Sequence, residues 1–243
     1  MRAGGFHGGA VHAGRIHGGG GRHYAGGPRP SHPIAGRPGH TGGMEQFDLV
    51  VLAGGTGRRL GGVDKAGVVV AGVPLLDRVL AAGAAARHTV VVGDPRPTAR
   101  PVHWTREDPP GGGPLAGLAA GLSALPSVAE SDVKLLPVVV LATDLPWLQA
   151  ADIDRLISAL AAEPDVEAAV FSDPGGRMQP LAAAYRISPI RAALAAVEPV
   201  HAKPVKLVLH ALTVVTVPDR GAAGDCDTPD QLAAARAHFD RQG

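Results

Sequence analysis

A single cysteine, Cys226, excludes an internal disulfide and a cysteine-built zinc cage. Aromatic residues are scarce, with two Trp, two Tyr and four Phe in 243 residues. So few stacking platforms argue against single-stranded nucleic acid as a ligand. No apolar run reaches membrane-spanning length. The N-terminus carries no apolar core of a secretory signal, which leaves the cytoplasm as the default compartment. Asp, Glu and Lys are wholly missing from residues 1–43, which hold fifteen glycines, six of the eleven histidines and five arginines. No hydrophobic period runs through that stretch. It cannot bury enough apolar surface to offset the entropy of ordering its backbone, so it is expected to be disordered. Met44 opens the first periodic segment. Translation from Met44 below a mis-assigned start is the simplest reading, and a natural disordered tail is the alternative. The tail histidines have neither helical nor zinc-finger spacing and read as part of a flexible tract.

What remains is a different kind of sequence. The whole chain has 23 Lys+Arg against 22 Asp+Glu, a net charge of +1. The tail holds five of those arginines, so residues 44–243 carry 18 against 22, a balance of −4. The excess of positive charge therefore belongs to the tail and gives no basic face for nucleic acid. Two hundred residues suit one α/β domain with a sizeable core.

Strand-like and helix-like runs alternate along those residues. Strands are expected at 47–53, 89–92, 102–105, 136–142, 168–171, 181–186 and 212–217. Helices are expected at 74–86, 115–125, 152–162, 189–197, 204–210 and 229–239. The run at 136–142 is the most apolar and belongs in the middle of the sheet. The alternation predicts an α/β fold, a Rossmann-like, doubly wound, mostly parallel sheet with helices on both faces. Ligands in such sheets sit at the carboxyl ends of the strands. The chemically informative motifs fall there.

The first motif follows the first strand. Leu49 to Lys65 reads LVVLAGGTGRRLGGVDK. A buried strand running into glycines, arginines and Asp64-Lys65 is how an α/β protein cradles a polyanion. Bare backbone approaches closely, amides point inward and fixed cations complete the site. The dinucleotide fingerprint fails, because Leu60 stands where its third glycine belongs. The Walker pattern fails too, because Lys65 is followed by Ala66. A tight turn alone would explain Gly54 and Gly55, but not the full string.

LAGGTGRRLGGVDK is similar to the nucleotide-binding signature of the molybdenum cofactor guanylyltransferases, members of the sugar-phosphate nucleotidyltransferase-like superfamily. The resemblance spans nearly all of 47–239. It implies that Leu52, Ala53 and Gly54 contact guanine, with Gly55 in the same nucleotide-binding string. It also implies that Arg59 lies near the phosphates and that Lys65 grips them. Related cytidylyltransferases usually have Ala-Ala-Gly where this chain has Ala53-Gly54-Gly55.

Three further motifs fit this likeness. Arg106-Glu107-Asp108 precedes Gly113-Pro114-Leu115-Ala116-Gly117-Leu118. A Gly-Pro step opening a helix explains part of that string. The resemblance adds that Asp108 contacts nucleotide. Leu141-Ala142-Thr143-Asp144-Leu145-Pro146 ends the most apolar strand on an aspartate. Asp144 there makes sense as a magnesium (Mg²⁺) ligand, since magnesium takes one or two carboxylates plus substrate phosphates. An Asp capping the next turn is the plainer alternative. In Asp225-Cys226-Asp227-Thr228-Pro229-Asp230-Gln231, the residues Thr228, Pro229 and Gln231 form a helix start with a capping box. Asp225 and Asp227 are not needed for it, and direct action by either stays open beside simple helix-start preference. Gln179-Pro180 resembles a segment on the acceptor side. Two departures stand out: Gly93 where the family often has Asn, and Thr143 where it often has Cys.

The resemblance implies an enzyme, with catalytic residues Lys65, Arg59 and Asp144. It would move GMP from GTP to the phosphate of molybdenum-bound molybdopterin and release pyrophosphate. It implies no nucleic-acid or membrane partner; other molybdenum-cofactor proteins are the natural candidates for protein partners. Alternatives are a CTP-dependent molybdopterin cytidylyltransferase, a phospholactate guanylyltransferase or a non-catalytic nucleotide-binding module.

Overall fold

Apolar runs bounded by glycine and proline form the strands, and the order in which they pair decides where a ligand can sit. The computed structural model describes residues 46–54, 64–127 and 136–241. The tail at 1–43 and the loop residues Gly55, Arg58 and Arg59 lie outside the described residues. The strands are β1 (Asp48–Leu52), β2 (Val69–Val70), β3 (Val73–Pro74), β4 (Thr89–Val92) and β5 (His103–Thr105). They continue as β6 (Pro137–Ala142), β7 (Ala168–Ser172), β8 (Met178–Arg186) and β9 (Val214–Pro218). The helices are α1 (Leu75–Ala82), α2 (Gly113–Ala124), α3 (Ala150–Ala162), α4 (Ile187–Val197), α5 (Lys206–Leu209) and α6 (Pro229–Phe239).

Seven strands form one sheet in the order β5-β4-β1-β6-β8-β7-β9. β1 pairs in parallel with β4 and β6, β4 with β5, and β7 with β9. Only β8 runs antiparallel to its neighbours β6 and β7. The sheet is thus mostly parallel, and β6 occupies its middle as its composition requires. Side chains alternate between two cores along each strand. Leu49, Val51, Val139 and Leu141 face the layer of α1 and α3, while Val50, Val138 and Val140 face α2, α4 and α5. No helix among the described residues is long and apolar enough to cross a membrane.

Helix α2 lies unusually close to the sheet. A Cβ on Gly121 would come within 2.5 Å of a methyl of Val50 and 3.0 Å of one of Val92. Both valines are buried and stiff, so neither can yield cheaply. Gly121→Val is expected to destabilise the protein by about 3 kcal/mol, the upper range for overpacking a filled core. Urea unfolding midpoints would read this; an unchanged midpoint would show that α2 can lift away freely.

Two features depart from the sequence reading. The β2–β3 hairpin is unforeseen. Its loop, Ala71-Gly72, takes positive φ at both residues, 47° and 76°. Alanine is uncommon there, so the usual Asn-Gly or Asp-Gly signal is missing. β8 begins three residues earlier than expected, because Met178 and Gln179 pair with β7 beyond a register shift.

Candidate active site

β1, β4, β5 and β6 run in parallel, so their carboxyl ends share one edge of the sheet. A cavity of about 440 Å³ opens there. Leu52 and Gly54 line it from the end of β1, Val92 from β4, and Thr143 and Asp144 from the end of β6. Gly113, Pro114 and Gly117 line it from the start of α2, and Lys65 completes it. A Cβ on Gly54 would meet no atom of the described residues within 4 Å, and its bare backbone borders the cavity. Ala53 is buried, and its N–H donates to the Val92 carbonyl at 2.8 Å. Gly93 sits directly behind it at φ +153°, where a Cβ would lie 3.2 Å from the Ala53 carbonyl carbon. A side chain at position 93 would therefore press on the strand end that borders the cavity.

The charged centre is a three-residue cluster. Lys65 Nζ donates to Asp144 Oδ2 at 3.0 Å and also to Asp227 Oδ1. The three side chains are 15%, 19% and 22% exposed, so water screens their charges only in part. Each is placed by a separate local device. Lys65 opens a 3-10 turn over Lys65–Gly67, where the side chain of Asp64 accepts from the Ala66 N–H at 3.2 Å. Arg96 pairs with the other oxygen of Asp64. Asp144 leaves the end of β6, and its carbonyl accepts from the Cys226 N–H at 3.0 Å. Asp227 stands just before α6, where the Gln231 side chain accepts from the N–H groups of Asp227 and Thr228, both at 2.9 Å. Thr228 caps the helix in the foreseen capping box.

A second cavity, of about 570 Å³, lies on the other side of Asp144. It shares Pro114, Ala142, Asp144 and Leu181 with the first. Gln179 and Pro180 line it, as do the cationic side chains of Arg177 and Lys206, with His210 beside them. Two cavities that meet at one carboxylate can bring two reactants together.

The sequence matches the MobA-like NTP transferase domain over residues 49–211. The chain belongs to the MobA-like NTP transferase family. It is a nucleotidyltransferase. A probable molybdenum cofactor guanylyltransferase from a Nostoc species is 30% identical over 210 residues, which is 81% of this chain and 94% of that protein. A molybdenum cofactor guanylyltransferase from Rhodobacter capsulatus is 38% identical over 118 residues, 46% of this chain and 58% of that protein. In structure, the chain resembles molybdopterin-guanine dinucleotide biosynthesis protein A from Archaeoglobus fulgidus. The TM-score is 0.63 at 23% identity, over 80% of this chain and 100% of that one. That likeness shows the fold.

For a MobA-like NTP transferase, the structure brings together Leu52, Gly54, Lys65 and Asp144 at one cavity and adds Asp227, which lies beyond the matched span. Asp108 is exposed and lines neither cavity; its neighbour Glu107 lines the first, with Oε1 accepting from the Gly111 N–H at 3.1 Å. Which of two consecutive loop acids turns inward depends on backbone conformation, and no periodicity records it. Arg177, Lys206 and His210 had no motif to reveal them.

Cys226 is buried between the two aspartates of its motif. Burial pushes its thiol up to about 11, with Asp144 and Asp225 adding to the shift and Lys65 opposing it. The thiol is thus neutral at pH 7 and no nucleophile. Iodoacetamide at pH 8 is expected to leave Cys226 unmodified until urea unfolds the chain. Rapid labelling of the folded protein would contradict this.

Proposed function

We propose that this protein transfers the guanylyl group of GTP to the phosphate of molybdenum-bound molybdopterin, with release of pyrophosphate. The observation that carries this reading is the Lys65–Asp144–Asp227 cluster, in which Asp144 lines both cavities and Lys65 lines the first. GTP takes the cavity beside Leu52, Gly54 and Lys65. The acceptor takes the cavity beside Gln179, where Arg177 and Lys206 suit an anionic ligand. Relatives named molybdenum cofactor guanylyltransferase support this choice of substrates.

An acceptor phosphate oxygen attacks the α-phosphorus, a new P–O bond forms, and the bond to the bridging oxygen breaks. Both reactants are anions. At ~4 Å and an effective dielectric of about 20, each pair of unit charges repels by roughly 4 kcal/mol. Lys65 offsets part of that repulsion as charge grows on the departing pyrophosphate. The acceptor phosphate is itself the nucleophile and is largely ionised at neutral pH, so no side-chain nucleophile or general base is required. Leu52, Ala53 and Gly54 position the base, and positioning plus electrostatics carry the rate.

Two carboxylates that reach the same Nζ give hard oxygen donors at one point, which fits magnesium. Substrate phosphates would supply the remaining ligands. Asp144, with Asp227, would hold Mg²⁺. Bound there, the ion would neutralise phosphate charge and polarise the reacting phosphoryl group. Arg59 is proposed to add a second cation near the phosphates. Residues 44–243 are proposed as the catalytic unit.

The test is pyrophosphate release with GTP, CTP, ATP and UTP in turn, with Mg²⁺ and molybdenum-molybdopterin present. GTP is expected to exceed the others on the order of a hundredfold. Equal rates with all four, or a preference for CTP, would overturn the guanylyl assignment.

A further inference from the structure

The three charged residues come from distant parts of the chain. Ala66 and Leu145, beside Lys65 and Asp144, pack into the core of α1 and α3, as do Ala222 and Ala223 upstream of Asp227. A third, separate core joins the same three segments again. It consists of Val68, Val70, Leu75, Cys226 and Ala235, with Trp147, Leu232 and Phe239 packed against it. Each charged segment enters this core within three residues: Val68 follows Lys65, Trp147 follows Asp144, and Cys226 precedes Asp227. Helix α6 has Ala235 as its only fully buried residue among those described, so this small patch is its anchor.

Trp147 is the largest side chain in the patch. Its indole stacks on the Phe239 ring, with centroids 5.3 Å apart and planes 15° apart. It meets the His238 ring edge-on at 4.8 Å. The guanidinium carbon of Arg78 lies 3.8 Å from the Phe239 ring centroid, which ties the stack to α1. The indole also abuts the loop that delivers Asp227: a Cβ on Gly224 would lie 3.2 Å from indole Cδ1 and 3.3 Å from Nε1. One side chain therefore touches both the end of α6 and the stretch leading to Asp227, three residues after Asp144.

We propose that Trp147 is a positioning residue for nucleotidyl transfer: stacked on Phe239 and pressed against Gly224, it holds Asp227 in register with Lys65 and Asp144. The inference rests on the reading of that cluster as the phosphate-side machinery. Trp147 touches no reacting atom and acts through Asp227 alone.

A double-mutant cycle in the full chain tests it, with GTP, Mg²⁺ and acceptor saturating and the fold checked by circular dichroism. Trp147→Ala is expected to lower kcat on the order of ten- to a hundredfold, the scale of misplacing a reacting group by about 1 Å. Trp147→Phe, which keeps the stack, is expected to stay within about threefold of the parent. The deciding measurement repeats Trp147→Ala in an Asp227→Asn background. If Trp147 works by placing Asp227, its loss there changes kcat by less than about twofold, because the effects are not additive. The same factor in both backgrounds, an unchanged kcat in Trp147→Ala or in Asp227→Asn alone, or a loss in Trp147→Phe as large as in Trp147→Ala, overturns the proposal. If Trp147→Ala does not fold, Phe239→Leu removes the stack with an apolar side chain kept, and the same cycle applies. Lys65→Ala separates this outcome from failure of the underlying reading. Full activity in that variant would sink the site itself, whereas an inactive Lys65→Ala with an additive cycle sinks only Trp147.

Discussion

Lys65→Ala is expected to lower turnover with saturating GTP by about two to three orders of magnitude, roughly 3–4 kcal/mol of transition-state stabilisation. The size follows from where Lys65 sits. It lines the cavity at the end of β1, and its Nζ lies 3.0 Å from the carboxylate of Asp144, which lines both cavities. On the proposed reading, a cation fixed there acts where negative charge builds on the departing pyrophosphate and needs no reorganisation as the bond breaks. The base-side contacts proposed for Leu52, Ala53 and Gly54 do not involve Lys65, so the loss is expected mainly in kcat. The variant is expected to keep the fold, because Lys65 belongs to a three-residue turn whose Asp64 cap remains. Steady-state rates at saturating GTP check this. Unchanged turnover would remove Lys65 from the mechanism.

Asp144→Asn is expected to raise the Mg²⁺ concentration needed for half-maximal turnover by at least about tenfold, the low end for damage to a metal site. Asparagine keeps the shape and one oxygen but loses the charge a hard divalent ion requires. Asp144 ends the central strand, its carbonyl is tied to Cys226, and it borders both cavities. On the proposed reading its side chain serves both reactants, and Asp227 alone is not expected to replace it. A magnesium titration of pyrophosphate release reads the shift. A normal titration in the variant would place the ion elsewhere.

Much of this was legible in the residues themselves. The strand at 48–52 and the one at 137–142 are continuous apolar runs, and such runs are buried on both faces of a sheet. Asp144 stood out because an aspartate is costly at the end of a buried strand without a partner. Thr228, Pro229 and Gln231 announced the start of α6 through capping chemistry that is entirely local. The remainder was non-local. Strand direction leaves no trace in periodicity, so the reversed β8 could not be read. The stack of Trp147 on Phe239 joins residues far apart in sequence, and a short Val-Val pair beside Ala71 gives no hairpin signal. Nothing in the order of amino acids says that Glu107, and not Asp108, faces the cavity.

Isothermal calorimetry of GTP binding, with and without Mg²⁺, bears most directly on the claim that the end of β1 and Lys65 form a triphosphate site opposite Asp144. The account predicts saturable one-to-one binding that Mg²⁺ tightens and Lys65→Ala weakens. Heats no different from dilution in both conditions would contradict it.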